Sequence, residues 1–246
     1  MRLLHGVHLV GSGALGACLT DPHDSHVYLV EDGGDAVLID AGCGLQPERI
    51  VAQVAAAGVE PSAVSRVVVT HAHADHAAGA RTLAGRLDAR VLASAPAAAV
   101  LAAGDEVAAG LRDARAAGTY PPEVRLLPTP SGVLSDGDEL RVGALVLTAL
   151  ATPGHADGHL CLLLRAGGRL VAFTGDLVFS RGRVAVLSTV DSRPAALGES
   201  IRRLAELAPD VLLPGHGSFV LSGASDHLGV AVSALNAGGL PPPLLP

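Results

Sequence analysis

One stretch constrains this chain more than any other: Thr70-His71-Ala72-His73-Ala74-Asp75-His76. It follows an apolar run, Val67-Val68-Val69, that reads as a buried strand. Four metal-competent side chains therefore crowd the end of one strand. One ion cannot comfortably take all four from so short an arc. Two ions can, with His71 and His73 on one and Asp75 and His76 on the other. Imidazole and carboxylate suit zinc, iron or manganese. The plain alternative is a polar loop in which Asp75 caps a helix over 77–83. Three histidines and an aspartate at this spacing favour the metal.

The rest of the chain must build a rigid scaffold for that loop. At 246 residues it fits one large domain or two small ones, with enough chain for a substantial core. The hydrophobic fraction is 49 % but aromatics are 2 %, so Ala, Val and Leu fill the interior. There is no Lys, and all 17 basic residues are Arg. A net charge of −7 argues against a nucleic-acid partner, whose phosphates need a basic surface. Cys18, Cys43 and Cys161 fit neither a CxxC site nor a disulfide framework, and read as buried reduced thiols. No apolar run reaches the length of a membrane span, and the first residues lack the pattern of a signal peptide. The expectation is a cytoplasmic protein with a small-molecule substrate and no membrane partner; nothing in the sequence speaks to oligomeric state.

Strand patterns fall at 3–10, 26–31, 36–39, 66–70 and 90–93, then at 124–127, 139–142, 145–149, 159–164, 170–173 and 211–213. Helical patterns fall at 47–57, 77–87, 194–207 and 225–235. Gly11-Ser12-Gly13-Ala14-Leu15-Gly16 matches a dinucleotide-binding fingerprint, but residues 17–22 suit a second strand and a turn rather than the required helix. In the segment 96–122, an Ala-rich helix over 96–117 is broken at Gly104 and Gly110 and ended by Thr119-Tyr120-Pro121-Pro122; the segment reads equally as a helical lid or pocket wall over the site or as a plain packing helix. Residues 239–246 form a Pro-rich tail. With no linker or repeat, residues 1–238 read as one domain of two sheets packed face to face with helices outside.

Three further candidate ligands follow strands: His155 in Thr152-Pro153-Gly154-His155, Asp176 in Thr174-Gly175-Asp176, and His216 in Pro214-Gly215-His216. A Gly precedes each, as a sharp turn into a crowded centre requires. Asp40, after the strand 36–39, reads equally as a carboxylate behind the metals or as a turn former.

This set, His-x-His-x-Asp-His followed by a lone His, a lone Asp and a lone His, resembles the metallo-β-lactamase fold superfamily. The motifs around 70–79, 152–159 and 175–179 look most like its hydroxyacylglutathione hydrolase (glyoxalase II) group. The resemblance implies an α/β fold, an αββα sandwich of two mixed β-sheets with helices on the outer faces. It implies His71, His73 and His155 on a first metal, Asp75, His76 and His216 on a second, and Asp176 bridging. His159 recurs in that motif as a residue that packs behind the ligands. Two divalent ions, zinc before iron or manganese, would activate a bridging hydroxide toward an ester or thioester carbonyl, with Asp75 and Asp176 in catalytic roles. The glyoxalase II group grips glutathione with basic residues in a C-terminal helical extension, and here no Arg follows Arg203. The expected activity is therefore a thioesterase or esterase not specific for glutathione. A lactonase of the same fold and a mononuclear-iron persulfide dioxygenase are the alternatives.

Overall fold

The structure, a computed structural model, describes residues 1–244. The first sheet has seven strands in sequence order: β1 (Arg2–Leu4), β2 (Val7–Gly11), β3 (Val27–Asp32), β4 (Asp35–Ile39), β5 (Val64–Val68), β6 (Arg90–Ala93) and β7 (Gly132–Val133). β1 to β4 pair antiparallel, and β4 to β7 pair parallel. The second sheet runs β12 (Val211–Pro214), β11 (Arg169–Gly175), β10 (Leu160–Ala166), β9 (Leu145–Ala151) and β8 (Glu139–Val142), with only β11 and β12 parallel. Both sheets are mixed, as expected.

Side-chain alternation decides the layering. Tyr28, Val30, Val37 and Ile39 of the first sheet pack on Leu160, Leu162, Val171, Phe173, Val211 and Leu213 of the second. Tyr28 meets Phe173 edge-on at 5.3 Å across this middle layer. Their neighbours face outward. Val27, Leu29, Ala36 and Leu38 pack under helices α1 (Pro47–Ala56), α3 (Ala80–Leu87), α4 (Ala95–Ala103) and α5 (Leu111–Ala116). Ala172 and Leu212 pack under α6 (Pro194–Glu206) and α7 (Ala224–Asn236). Val67, Val68 and Val69 are fully buried because β5 is covered on both faces. Each fully buried Val, Leu or Phe contributes about 1.5–3 kcal/mol, which lets an aromatic-poor interior hold. The result is an αββα sandwich.

Several expectations need correction. The strand over 3–10 is a hairpin, β1 and β2, turned at Gly6 with φ +70°. Residues 17–22 form no strand: the Ser12 carbonyl takes the amides of Leu19 and Thr20, curling the segment into a loop. No helix follows β2, so the dinucleotide fingerprint has no structural basis. Residues 124–127 form no strand either. The Val124 carbonyl accepts from Arg115 at 2.8 Å and the Leu126 amide donates to Glu106, so side chains take the bonds a ladder would need. The helix over 77–87 begins earlier as a short turn, α2 (Ala74–Ala77), then restarts at Ala80. Asp75 lies inside that turn rather than capping it. Cys43 and Cys161 are buried and free as expected, but Cys18 is exposed in the loop, at φ +53°.

The segment 96–122 does break at its two glycines, both left-handed. The piece between α4 and the strand edge is knotted by Glu106, which accepts from Arg115 at 2.5 Å and Arg125 at 2.7 Å. Those guanidiniums, Arg115 first, pull the Glu106 carboxyl down to about 2. The knot's contribution is fully present above the ordinary carboxylate pKa and is lost as pH falls toward about 2. Glu106→Gln mimics the protonated form. Trypsin should then cut at Arg115 and Arg125 several-fold faster, with little change in global stability, because Arg125 is exposed and the Glu106–Arg115 pair is only half-buried. Of the tail, residues 242–244 lie along Val184: its amide donates to Pro242 O at 2.9 Å, and its carbonyl accepts from the Leu244 amide at 2.8 Å. Leu245 and Pro246 fall outside the described residues. No helix among the described residues is long and apolar enough to cross a membrane.

Candidate metal centre

Five strand ends converge on one place. β4 delivers Asp40, β5 the loop 70–76, β9 His155, β11 Asp176 and β12 His216. All seven residues named as ligands from the sequence meet there. Donor atoms of His71, His73 and His155 lie within 4.8 Å of one another, as do those of Asp75, His76 and His216. Asp176 stands between the two groups. Its Oδ1 is 3.3 Å from His76 Nε2, and its Oδ2 is 3.6 Å from His155 Nε2 and 3.5 Å from His216 Nε2.

The outward nitrogens of four of these histidines are tied down, which fixes the inward ones. His71 Nδ1 donates to Thr70 Oγ1 at 3.0 Å, His76 Nδ1 to Asp40 at 2.8 Å, His155 Nδ1 to the Ala185 carbonyl at 2.9 Å, and His73 Nε2 to Asp191 at 3.2 Å. Each neutral ring then offers a lone pair inward. His73 Nδ1 and His155 Nε2 face each other at 3.0 Å as two acceptors. His71 Nε2, His76 Nε2 and Asp176 Oδ1 are buried with no hydrogen-bond partner among the described residues. Orphaned buried polar atoms cost about 1–3 kcal/mol each, and three in one cluster fit a bound cation that would engage them.

Charge agrees. Burial holds His71 well below its ordinary pKa and brings His155 down to about 4, so both stay neutral. Burial would do the same to His76 and His216, yet the Asp75 and Asp176 carboxylates (with Asp40 for His76) raise both. Burial should raise Asp176, yet His216 and His76 hold it well below the carboxylate range. The centre draws positive charge to buried carboxylates, and a divalent ion supplies it with neutral imidazoles as ligands.

The three glycines that precede the candidate ligands His155, Asp176 and His216 are needed for space. A β-carbon on Gly215 would strike Asp176 Oδ1 and His76 Cε1. On Gly175 (φ +46°) it would lie 2.7 Å from His159 Nε2, and on Gly154 (φ +139°) it would enter the backbone of Leu197.

Asp40 is both things the sequence allowed. It turns the chain at φ +66°, and its carboxylate binds the Thr70 amide, the Thr70 hydroxyl and His76. His159 accepts the Asp176 amide on Nε2 at 3.1 Å, while its Nδ1 meets Thr152 Oγ1 at 2.9 Å. It thereby sets the backbone that presents Asp176.

Sequence reasoning missed three groups. Asp191, from the turn before α6, holds His73, and no spacing signal marks it. His26, at the start of a strand pattern, is buried and joins Tyr28 in bonding the Pro214 carbonyl, at 2.8 and 2.6 Å, which clamps the turn before His216. Tyr120, read only as part of a helix end, has its hydroxyl beside Asp75; burial first and then that carboxylate keep its phenol protonated. A carboxylate behind a ligating imidazole raises its basicity, so Asp191→Asn should weaken metal binding about 10- to 100-fold. A chelator-competition titration measures this, and unchanged affinity would count against Asp191 as a support for His73.

A cavity of about 500 Å³ opens on His73, Asp75, His155, Asp176 and His216. Its other walls include Val107, Leu111, Ala114 and Tyr120 from the segment expected as a lid, with Leu187, Val190 and Leu244 opposite. Among the described residues, Asp113 is its one charged wall residue outside the candidate ligands.

Residues 20–216 match the family model of the metallo-beta-lactamase superfamily. The chain is 28 % identical over 201 residues to a hydroxyacylglutathione hydrolase of Acidiphilium cryptum, covering 82 % of this chain and 67 % of that one. It is 27 % identical over 197 residues to an atrochrysone carboxyl ACP thioesterase of Aspergillus fumigatus, covering 80 % and 51 %. Its fold is similar to that of a metallo-beta-lactamase of Cronobacter sakazakii, with a TM-score of 0.73 at 20 % identity, covering 97 % of this chain and 96 % of that one. Across the curated relatives it matches, the chain spans about half to two thirds of their length. With the family match spanning most of its length, the chain belongs to the metallo-beta-lactamase superfamily.

Proposed function

We propose that this protein is a cytoplasmic, dinuclear metal-dependent hydrolase of esters or thioesters. The observation that carries the reading is the pair of three-residue clusters joined by Asp176, with orphaned donor atoms on His71, His76 and Asp176. His71, His73 and His155 would hold one ion, Asp75, His76 and His216 the other, and Asp176 both. Ions held there supply Lewis acidity toward a carbonyl and water activation near neutral pH; zinc suits the donors, as iron or manganese would. The chain's own residues do the rest. Asp40, Thr70, Asp191 and the Ala185 carbonyl hold the imidazoles in one tautomer, so no ligand must reorganise during turnover. His159 and Gly175 present the Asp176 carboxylate. Asp75 stands where it can orient the attacking water, and Tyr120 lies beside it on the cavity wall.

Residues 1–238 act as one unit in this reading, with 96–122 as the wall that selects substrate. That wall is mostly apolar, and no Arg among the described residues lines the cavity, so it suits an uncharged acyl group. The similarity to a hydroxyacylglutathione hydrolase and to an acyl-carrier thioesterase supports a thioester. The test is elemental analysis of the purified protein together with turnover of an acyl thioester, a lactone, an aryl ester and a glutathione persulfide. About two ions per chain with thioester or ester cleavage is expected. One iron per chain with oxygen uptake on the persulfide would overturn the reaction class.

A further inference from the structure

A second cavity, of about 610 Å³, adjoins the reaction cavity: Leu15 and Leu244 line both. Its character is opposite. Arg181, Arg183, His227, Ser180, Ser218 and Ser222 supply hydrogen-bond donors around it. Among the described residues neither guanidinium is paired with a carboxylate; Arg183 Nη1 donates to the Leu244 carbonyl at 3.3 Å. In a chain of net charge −7, two such arginines on one cavity make a local positive field.

The walls are direct continuations of the ligand loops. Arg181 and Arg183 follow Asp176 in the loop after β11, and Ser218 follows His216 in the loop after β12. The backbone is shaped at cost. Arg181 sits at φ +62°, a conformation that is strained for a side chain with a β-carbon, and its amide donates to His227 Nδ1 at 2.6 Å. That bond makes His227 Nε2 the protonated nitrogen, a donor. On its other side, Gly182 packs so closely on α7 that a β-carbon would meet the His227 carbonyl at 2.6 Å. Strain of this kind persists where the surrounding structure holds it, here with an arginine at the cavity.

We infer that this second cavity binds a phosphate group carried on the leaving-group side of the substrate, so that the acyl chain lies in the apolar cavity while a phosphate-bearing thiol extends past Leu15 and Leu244 to Arg181 and Arg183. The inference rests on the thioesterase reading of the metal centre. Two guanidiniums, a ring N–H and three hydroxyls make a donor set that suits the several oxygens of a phosphate better than the two of a carboxylate.

The experiment compares three thioesters of one acyl group: with coenzyme A, with glutathione and with N-acetylcysteamine, on the metal-loaded full chain. The coenzyme A ester is expected to exceed both others in kcat/KM by about 10- to 100-fold, the scale of one or two charge-assisted bonds. Arg181→Gln and Arg183→Gln should each shrink that ratio, and the double variant should bring it near 1. Calorimetry with pantetheine 4′-phosphate and pantetheine reads the site without turnover, with the phosphate expected to tighten binding by a similar factor in the wild type only. If the thioesters are cleaved with equal kcat/KM, or the glutathione ester is preferred, the phosphate site is wrong. If none is cleaved, calorimetry decides: a phosphate preference that Arg181→Gln removes keeps the site and discards the thioesterase reading, and equal binding discards both.

Discussion

Asp176→Ala is expected to abolish hydrolysis and to lower metal content from about two ions per chain toward one or fewer. The carboxylate lies within 3.6 Å of His76, His155 and His216 at once, so both candidate ion sites lose a ligand together. Loss of an ion removes several kcal/mol of transition-state stabilisation, so activity should fall by about 10³-fold or more. The fold should survive. The cavity left would be polar and water-accessible, and removing one buried carboxylate relieves the crowding of Asp75 and Asp176 around His76 and His216. Elemental analysis and kinetics on the folded variant check this, and wild-type turnover with full metal content would sink the mechanism.

Gly154→Ala is expected to have the largest effect on stability. At φ +139° a β-carbon is strained, a cost of about 1–3 kcal/mol. The new methyl would also enter the backbone of Leu197, the first buried turn of α6, where overpacking adds a similar amount. The sum is about 2–6 kcal/mol, or roughly 10 °C in Tm for a chain this size. Because His155 follows directly, the variant should also bind metal more weakly. Gly85→Ala is the contrast. It lies in α3 with open space where the β-carbon would go, so it should stabilise by about 0.5–1 kcal/mol. Urea denaturation of both variants reads opposite signs, and a mild Gly154→Ala would show that the loop before His155 can shift.

Much of this site is legible in the amino-acid sequence because its chemistry is local along the chain. His71, His73, Asp75 and His76 sit within one strand-end loop, and the spacing alone separates them into pairs. His155, Asp176 and His216 are legible for a different reason. Each follows a strand and a glycine, and the glycine marks a backbone that must pass close to something; the fold shows what, namely Leu197, His159 with Thr70, and Asp176 with His76. The layer order is legible from alternation, since Tyr28, Val30, Val37 and Ile39 can face only one way once Val27, Leu29, Ala36 and Leu38 face the other.

What only the tertiary structure decided are contacts between residues far apart in the chain, where composition carries no trace of the partner. Asp191 supports His73 across 118 positions, and His26 clamps Pro214 across 188. An isolated Asp or His in a turn looks the same whether it is solvated or buried against a ligand. The failed strand at 124–127 has the same cause: its apolar pattern is strand-like, but its backbone groups are claimed by Arg115 and Glu106 from another segment. The sequence determined which side chains could hold metal and which faces could be buried, because ligand chemistry and side-chain period are local properties. The tertiary structure decided which groups hold those ligands still and what shape of substrate can reach them, because both depend on surfaces that exist only once the two sheets have closed on each other.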